Sequence, residues 1–244
     1  MSETLVCIGH RGAAGYEPEN TLRSIHKALE LGAHGIEIDV QLVDGELVVF
    51  HDNRLERTTN GKGYLARHSF AELRALDAGF GERIPTLREV CDVIRGRAFL
   101  NVELKGKCTA EPTVALLEKL IASGGWTWSD FLLSSFWFAE LRAARSVGGT
   151  DVPIGLLLAR PTHLWRRRGR LLGVTSVHPN FRWASARMVQ QAHAEGWRVF
   201  PYTVNTPIHL GRARQIGADG VFTDFPDRVL ATGSGGETNS PAIG

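Results

Sequence analysis

Few cysteines, no long apolar run and no excess of charge characterise this chain of 244 residues. Its three cysteines, Cys7, Cys91 and Cys108, form no CxxC pair and cannot all be joined in disulfides, which favours a reducing compartment and a cytoplasmic protein. No stretch approaches the ~18 apolar residues of a membrane-spanning helix, and the first residues lack the pattern of a signal peptide. We therefore expect no stable insertion into a membrane.

The charges are nearly balanced, with 28 lysines and arginines against 26 acidic residues. Proteins that bind nucleic acids usually present a strongly basic surface, so this balance argues against a nucleic acid as partner. The one basic run, residues 166–170, is short, and we interpret it as a solvated helix face or loop. A small molecule is the expected partner, and the composition does not indicate an oligomeric state.

Short apolar runs alternate with helical patterns along most of the chain. The eight predicted strands, each followed by a helix or by the chain end, are 5–9, 35–42, 98–105, 131–135, 152–159, 175–178, 198–204 and 220–223. Repeating strand–helix units imply parallel strands, and eight of them predict an α/β fold of the (β/α)8 barrel type. An open, doubly wound sheet is less favoured, because no G-x-G-x-x-G follows the first strand.

Two segments depart from this alternation. Residues 53–84, which follow the second strand and a short extended run at 46–50, contain several glycines and one short helical pattern. We interpret them as a small insertion. Residues 233–244 are rich in Gly, Ser, Pro and Asn, which predicts a disordered tail. We expect residues 1–232 to form a single domain.

Acidic residues recur on one face of the second and third predicted strands. Glu37 and Asp39 are two residues apart, so both point to one face, ~6.6 Å apart along the strand. Glu103 shares a face of the third strand with Lys105. Inward carboxylates repel unless a cation lies between them, and an all-oxygen set suits Mg²⁺ or Ca²⁺ better than Zn²⁺. The alternative, a simple ion pair of Glu103 with Lys105, leaves the other two acids without a neutralising charge.

Two histidines lie at the ends of extended runs beside these acids. His10 ends the first strand and precedes Arg11, and His51 follows the extended run at 46–50. Histidine can give or take a proton near neutral pH, and arginine can bind phosphate oxygens. A lone histidine is usually structural, but two histidines beside three acids favour catalysis. The set contains the groups that cleavage of a phosphodiester requires.

Nine short motifs extend this pattern along the chain. They are His10-Arg11-Gly12, Glu17-Pro18-Glu19-Asn20-Thr21, Glu37-Ile38-Asp39-Val40, His51-Asp52, Glu103-Leu104-Lys105, Ser134-Ser135-Phe136, His178-Pro179, Tyr202-Thr203-Val204-Asn205 and Thr223-Asp224-Phe225-Pro226. In this order, the motifs resemble the glycerophosphodiester phosphodiesterase family, most closely its compact bacterial type. One departure is Tyr202, where many members of the family carry tryptophan, and we expect a changed pocket shape with retained chemistry.

The resemblance implies a barrel that hydrolyses glycerophosphodiesters, such as glycerophosphocholine or glycerophosphoethanolamine, to an alcohol and sn-glycerol 3-phosphate. It also implies one divalent cation, Mg²⁺ or Ca²⁺, as cofactor, with His10 and His51 as the catalytic acid–base pair. The implied metal ligands are Glu37, Asp39 and Glu103. The implied substrate-binding residues are Arg11, Glu17 and Lys105.

Two other functions remain open at this stage. A lysophospholipase D or phospholipase D-like enzyme can use the same barrel, but it needs an apolar rim or an anchoring helix, and residues 53–84 show little of either. A barrel that only binds phosphorylated ligands would have gaps at the catalytic positions, all of which are filled here. The sequence also leaves open which histidine is the acid and whether Asn205 binds substrate or ties down a loop.

Overall fold

The computed structural model describes residues 5–231, which contain one sheet curved into a barrel. The strands are β1 (Val6–His10), β2 (Gly35–Val43), β3 (Glu46–Val49), β4 (Phe99–Leu104), β5 (Phe131–Ser135), β6 (Ile154–Leu158), β7 (Ser176–Pro179), β8 (Arg198–Val199) and β9 (Gly220–Thr223). Eight of them run parallel in the order β8-β7-β6-β5-β4-β2-β1-β9, while β3 pairs with β2 in the antiparallel direction.

Backbone hydrogen bonds between the two ends of this order bring the barrel close to closure. The Asp219 amide donates to the Val199 carbonyl (3.0 Å), and the Phe222 amide donates to the Pro201 carbonyl (3.0 Å). The Val204 amide donates to the Phe222 carbonyl (2.8 Å). The sheet therefore leaves almost no open edge, as a barrel requires.

Helices cover the outside of the barrel and connect its strands. They are α1 (Leu22–Glu30), α2 (Phe70–Arg74), α3 (Leu87–Ile94), α4 (Ala110–Ala122), α5 (Phe138–Gly148), α6 (Trp165–Leu172), α7 (Ala186–His193), α8 (Pro207–Gln215) and α9 (Pro226–Leu230). Short 3₁₀ turns lie at Leu65–Arg67, Trp128–Asp130 and Phe181–Trp183. None of the helices within residues 5–231 has the length and apolar character that crossing a membrane requires.

The predicted (β/α)8 barrel is confirmed, and the open doubly wound sheet is excluded. The prediction of a strand over 198–204 was too long, because regular pairing ends at Val199; Pro201 shortly afterwards has no amide hydrogen to donate. Arg166 and Arg170 on α6 pair with Glu195, as a solvated helix face would. The predicted tail at 233–244 lies outside the described residues.

Alternation along the strands separates an apolar outer layer from the barrel interior. On β2, Ile36, Ile38 and Val40 are buried in the main core with residues of the surrounding helices. The lower interior is filled by a separate apolar cluster of Val6, Ile8, Phe99, Leu132, Phe200 and Phe222. The polar residues of the strands lie above this cluster, at the carboxyl ends where barrel enzymes place their active sites.

The insertion at residues 53–84 packs on the hairpin of β2 and β3 through a small core of its own. Leu55, Leu65 and Leu73 are fully buried there with Val48 of β3. This packing fixes the insertion beside the mouth of the barrel. The segment therefore contributes side chains to the same face as β1 and β2.

Candidate active site

A cavity of about 250 Å³ opens at the carboxyl ends of the parallel strands. Its wall is charged on the side of β1 to β4 and aromatic on the opposite side, where Phe136 and Tyr202 lie. Six of the eight residues predicted for the site line this cavity: His10, Arg11, Glu37, His51, Glu103 and Lys105.

Asp39 lies directly beside this cavity, whereas Glu17 lies apart from it. Asp39 is buried, and its Oδ1 atom is 3.6 Å from the Nζ atom of Lys105. Glu17 forms an ion pair with Arg23 of α1 and borders a neighbouring groove. The structure therefore brings seven of the eight predicted residues together, and the role of Glu17 stays a prediction.

Three carboxylates meet because of the register between β2 and β4. Asp39 and Glu103 are direct partners across these two strands, and Glu37 is two residues before Asp39 on the same face. Oxygen atoms of all three side chains lie within 4.8 Å of one another, and all three side chains are buried. This is the kind of donor set that Mg²⁺ and Ca²⁺ prefer.

The charges around this cluster are not balanced by the protein alone. Burial raises the pKa of Glu37 well above its usual range, and the carboxylates of Asp39 and Glu103 raise it further. Burial and Asp39 raise the pKa of Glu103 to about 7, although Lys105 opposes this. Burial also favours protonated Asp39, but Arg11 and Lys105 outweigh it and lower its pKa. A divalent cation would supply the missing positive charge, so the donor set fits such an ion.

The loop after β1 aims Arg11 at these acids. Arg11 has a positive φ of 54°, and its amide donates to Oε2 of Glu37 (2.9 Å). Its Nε atom lies 3.2 Å from Oδ2 of Asp39, close enough for an ion pair but not aligned for a hydrogen bond. Asn20 also holds Asp39, because its Nδ2 donates to Oδ2 (2.9 Å). The guanidinium group is thus fixed at the wall of the cavity.

An aspartate holds each histidine of the site through the Nδ1 atom of its ring. Nδ1 of His10 lies 2.7 Å from Oδ1 of Asp224, and Nδ1 of His51 lies 2.5 Å from Oδ1 of Asp52. Within residues 5–231, no hydrogen bond occupies the Nε2 atom of either ring. Both Nε2 atoms can therefore exchange protons with a molecule in the cavity.

The surroundings of His51 favour its neutral form. Burial lowers its pKa, and the nearby Arg11 guanidinium adds to this effect. The carboxylates of Asp39 and Asp52 act in the opposite direction without overcoming it. A neutral imidazole near neutral pH is able to accept a proton.

Asn205 ties the loop before α8 to the His10 side of the site. Its Nδ2 donates to Oδ2 of Asp224 (2.5 Å), and its Oδ1 accepts from the Asp224 amide (2.9 Å). Both ends of the amide are therefore engaged in holding Asp224. Of the two roles considered from the sequence, the structure favours the loop tie.

Arg57 from the insertion connects the two halves of the charged wall. Its Nε donates to Oδ2 of Asp52 (2.6 Å), and its Nη1 donates to Oε2 of Glu19 (2.7 Å). Glu19 in turn accepts from Nη1 of Arg11 (2.7 Å), and Asp52 holds His51. One arginine thus supports both a predicted phosphate ligand and a predicted catalytic base or acid.

Sequence reasoning assigned no role to three of these supporting residues. Asp52 and Asp224 appear only as members of motifs, although each is a polar residue at or just after the end of an apolar run. A polar residue at that position of a barrel strand indicates a place in the active site, so both aspartates could have been predicted. Arg57 offered no such signal, because its partners are 5 and 38 residues away and meet only once the insertion has packed.

The sequence matches the profile of the glycerophosphoryl diester phosphodiesterase family over residues 10–228. The chain belongs to this family. A glycerophosphodiester phosphodiesterase of Caldanaerobacter subterraneus subsp. tengcongensis is 37% identical over 243 residues, which cover 93% of this chain and 97% of that protein. One from Bacillus altitudinis is 34% identical, covering 91% of this chain and 96% of its own length.

Solved structures agree with this family membership. A phosphodiesterase of Oleispira antarctica, in complex with the product sn-glycerol-3-phosphate, superposes with a TM-score of 0.84 at 32% identity, covering 93% of this chain and 96% of that one. A glycerophosphodiester phosphodiesterase of Thermotoga maritima superposes with a TM-score of 0.75 at 27% identity, with coverage of 93% and 98%. The predicted enzyme class, a phosphoric diester hydrolase of this family, is confirmed.

Proposed function

We propose that this phosphodiesterase hydrolyses small glycerophosphodiesters to an alcohol and sn-glycerol 3-phosphate, using one divalent cation and a pair of histidines. The observation that carries the proposal is the meeting of two aspartate-held imidazoles and three buried carboxylates at one cavity. The Oleispira antarctica relative, solved with sn-glycerol-3-phosphate as its product, supports the identity of the product.

We assign the cation to Glu37, Asp39 and Glu103, whose oxygens are of a type that Mg²⁺ and Ca²⁺ both accept. When bound, such an ion offsets negative charge on the non-bridging oxygens of the phosphodiester. Lys105 is positioned to offset the same negative charge on the phosphate. Its Nζ lies 3.1 Å from Oε1 of Glu103 and 3.6 Å from Oδ1 of Asp39, which hold it in place. With Arg11, it provides the protein's own positive charge for the phosphate.

The two histidines move the protons of the reaction. One Nε2 accepts a proton from the attacking hydroxyl group, whose oxygen forms the new bond to phosphorus. The other Nε2 gives a proton to the alcohol oxygen as the old bond from phosphorus to that oxygen breaks. Asp52 and Asp224 keep the Nδ1 side of each ring occupied, which leaves Nε2 as the reacting atom. The attacking hydroxyl is water or the 2-hydroxyl of the glycerol, and product analysis in ¹⁸O-labelled water distinguishes them.

Glu17 differs from the other proposed ligands in lying outside the cavity. To reach a bound glycerol it would have to give up its ion pair with Arg23. If it does bind substrate, Glu17→Gln raises KM, whereas an unchanged KM removes Glu17 from the site.

The test compares three variants in one assay, the release of sn-glycerol 3-phosphate from glycerophosphocholine with Mg²⁺ or Ca²⁺. His10→Ala and His51→Ala should each lower kcat by about 10²-fold or more, since each removes one proton-transfer group. His26→Ala, at an exposed position of α1, is the matched control and should keep wild-type activity. Full activity in either site variant would refute its catalytic role.

A lysophospholipase D activity is the second candidate, and exposed aromatic rings at the rim favour it. Trp137 is 44% exposed and Trp183 is 41% exposed, so both rings can contact an acyl chain. Lysophosphatidylcholine and glycerophosphocholine share the same head group and differ in that chain. A higher kcat/KM for lysophosphatidylcholine would favour the second candidate, and a higher value for glycerophosphocholine would favour the first.

A further inference from the structure

The rim of the barrel is charged very differently on its two sides. The loops after β5, β6, β7 and β8, residues 136–137, 159–164, 180–185 and 200–206, contain no aspartate or glutamate. Their charged residues are Arg160 and Arg182, with His163 as a further titratable group. The acidic residues of the site all come from the opposite side or from the loop after β9. The half of the rim formed by these four loops therefore carries positive charge only.

A groove of about 380 Å³ lies on this positive half-rim and adjoins the catalytic cavity. Cavity and groove share Asn180, Tyr202 and Thr203 as a common wall, and the groove extends to Arg182 and Arg212. A phosphodiester whose phosphate lies beside the carboxylates has one substituent pointing away from them. The groove lies next to the cavity on the side away from the carboxylates, where that substituent would extend.

The cations of this region are not neutralised by carboxylates. Arg160 and Arg182 approach the ring of Trp183, with distances of 4.9 and 5.6 Å from the guanidinium carbon to the ring centroid. Both arginines are exposed, and within residues 5–231 neither forms an ion pair with an acidic side chain. Arg212 lies over the ring of Phe181, with 4.7 Å from the guanidinium carbon to the ring centroid, and donates to the carbonyl of Ala184 (2.8 Å).

Cations already approach several aromatic rings of this half-rim, which weakens its attraction for a cationic headgroup. A quaternary ammonium group is usually bound by open aromatic faces or by carboxylates. Here two guanidinium groups already approach Trp183, and Nζ of Lys105 lies 5.9 Å from the centroid of Phe136. A second cation in the groove would be repelled by these groups, whereas an anion would be attracted.

We propose that this groove binds the alcohol portion of the substrate and selects anionic headgroups over cationic ones. The inference rests on the proposed function, because the groove receives the leaving alcohol of the same hydrolysis. The substrate class that fits best is a glycerophosphodiester whose alcohol is a polyol bearing a further phosphate or carboxylate group.

Three substrates that differ in headgroup charge test the proposal. They are glycerophosphoinositol 4-phosphate, glycerophosphoglycerol and glycerophosphocholine, and each releases sn-glycerol 3-phosphate on hydrolysis, so one assay measures all three. We expect kcat/KM to decrease in that order, with a difference of roughly tenfold between the first substrate and the last. Two partly exposed ion pairs between the headgroup and the arginines would give a difference of this size. The difference should shrink as salt is raised, because salt screens exposed charges.

The double variant Arg160→Glu/Arg182→Glu should weaken or reverse this order. Its kcat/KM for the anionic substrate should fall about tenfold, chiefly through KM, and the ratio of this value to the kcat/KM for glycerophosphoglycerol should fall as well. Arg97→Glu is the matched control, since Arg97 is exposed just before β4, at the opposite end of the barrel. It makes the same change of charge per site and should keep the wild-type order. If the double variant does not fold, the wild-type order and its salt dependence still decide the question.

The outcomes separate the headgroup proposal from the function on which it rests. Equal kcat/KM values in the wild type, or a preference for glycerophosphocholine, would overturn the headgroup selection and leave the proposed hydrolysis intact. No release of sn-glycerol 3-phosphate from any of the three substrates, with either Mg²⁺ or Ca²⁺, would overturn the proposed hydrolysis itself.

Discussion

The aspartate at Nδ1 distinguishes His10 and His51 from an ordinary surface histidine. In each pair the carboxylate fixes the orientation of the ring and stabilises the imidazolium form when a proton arrives. Asp224 is the more instructive of the two aspartates, because it lies 214 residues from His10 in the chain and reaches it only through barrel closure. Its effect on the reaction is therefore a direct test of the site geometry.

Asp224→Asn should lower kcat by about 10²-fold, because the amide can no longer stabilise a positively charged His10. KM should change much less, since Asp224 is not a proposed ligand of the substrate. Steady-state kinetics with glycerophosphoglycerol measure both. Asp227→Asn removes a carboxylate three positions further along, which accepts a hydrogen bond from the Tyr16 hydroxyl (3.0 Å) rather than contacting a catalytic histidine, and should leave kcat unchanged. A similar loss in both variants would mean that Asp224 acts only through stability.

Arg57 provides a second test at the scale of residues. Its hydrogen bonds are the main reason that the pKa of Asp52 lies far below the usual range. In Arg57→Met the Asp52 carboxylate is left without this cation and interacts more strongly with His51, which raises the pKa of His51. The limb of the kcat/KM profile that reports His51 should therefore move to higher pH, whether His51 acts as acid or as base.

The control for this prediction is Arg54→Met, in the same insertion, since Arg54 pairs with Glu56 and lies over the ring of Tyr64 rather than at Asp52. Its pH profile should match the wild type, and Arg57→Lys should restore part of the wild-type profile. A uniform loss of activity at every pH in Arg57→Met would contradict the positioning role.

At the scale of elements, the turn from β1 to α1 depends on one glycine. Gly12 has a φ of 85°, and a Cβ atom added there would lie 2.5 Å from Oγ of Ser24. Gly45, in the turn between β2 and β3, has a similar φ of 81°, but an added Cβ would meet nothing within 4 Å. A substitution to alanine therefore places a Cβ in the left-handed region at both positions, but it causes a steric clash only at Gly12.

Gly45→Ala should therefore lower the free energy of unfolding by about 1 kcal/mol, the cost of placing a Cβ in the left-handed region. Gly12→Ala should cost about 1–3 kcal/mol more, because the α1 backbone must move as well. Urea unfolding curves measure both variants. Equal losses would contradict a steric conflict between the added Cβ and Ser24.

The strands and the insertion show which features of the fold can be predicted from the sequence. The alternation on β2, with Ile36 and Ile38 facing the helices and Glu37 and Asp39 facing inward, is a local pattern with a period of two, and it was predicted correctly. The length of β8 was not, because the apolar pattern continues past Val199 whereas regular pairing with β7 ends there. The role of Arg57 was not predicted either, because it depends on how the insertion packs against the barrel.

At the scale of the whole molecule, His178 makes folding sensitive to acid. It is fully buried in the barrel, and its Nε2 contacts Oγ of Ser176 at 2.8 Å. Its Nδ1 has no hydrogen-bond partner in the part of the chain that the structure describes. Burial lowers its pKa to about 3, below its usual value. In the unfolded chain the pKa of a histidine is ~6.5, so above this pH the ring of His178 is neutral in both the folded and the unfolded state. Between the two pKa values only the unfolded chain binds the proton, so stability falls as the pH falls.

The wild type should thus lose about 2 kcal/mol of unfolding free energy through His178 between pH 7 and pH 5. Urea unfolding at the two pH values measures the loss, and His178→Asn should reduce it by that amount. The exposed His26→Asn variant should behave like the wild type. An equal loss in wild type and His178→Asn would contradict the assignment.

Cation dependence is the property that joins the fold, the carboxylate cluster and the reaction. Barrel register brings Glu37, Asp39 and Glu103 together, and Arg11 and Lys105 do not neutralise all three. The most direct measurement is sn-glycerol 3-phosphate release from glycerophosphoglycerol by enzyme freed of metal with EDTA. We predict activity at background level, restored by Mg²⁺ or Ca²⁺ in the wild type but not in Asp39→Asn. Full activity of the metal-free enzyme would contradict a requirement for a divalent cation.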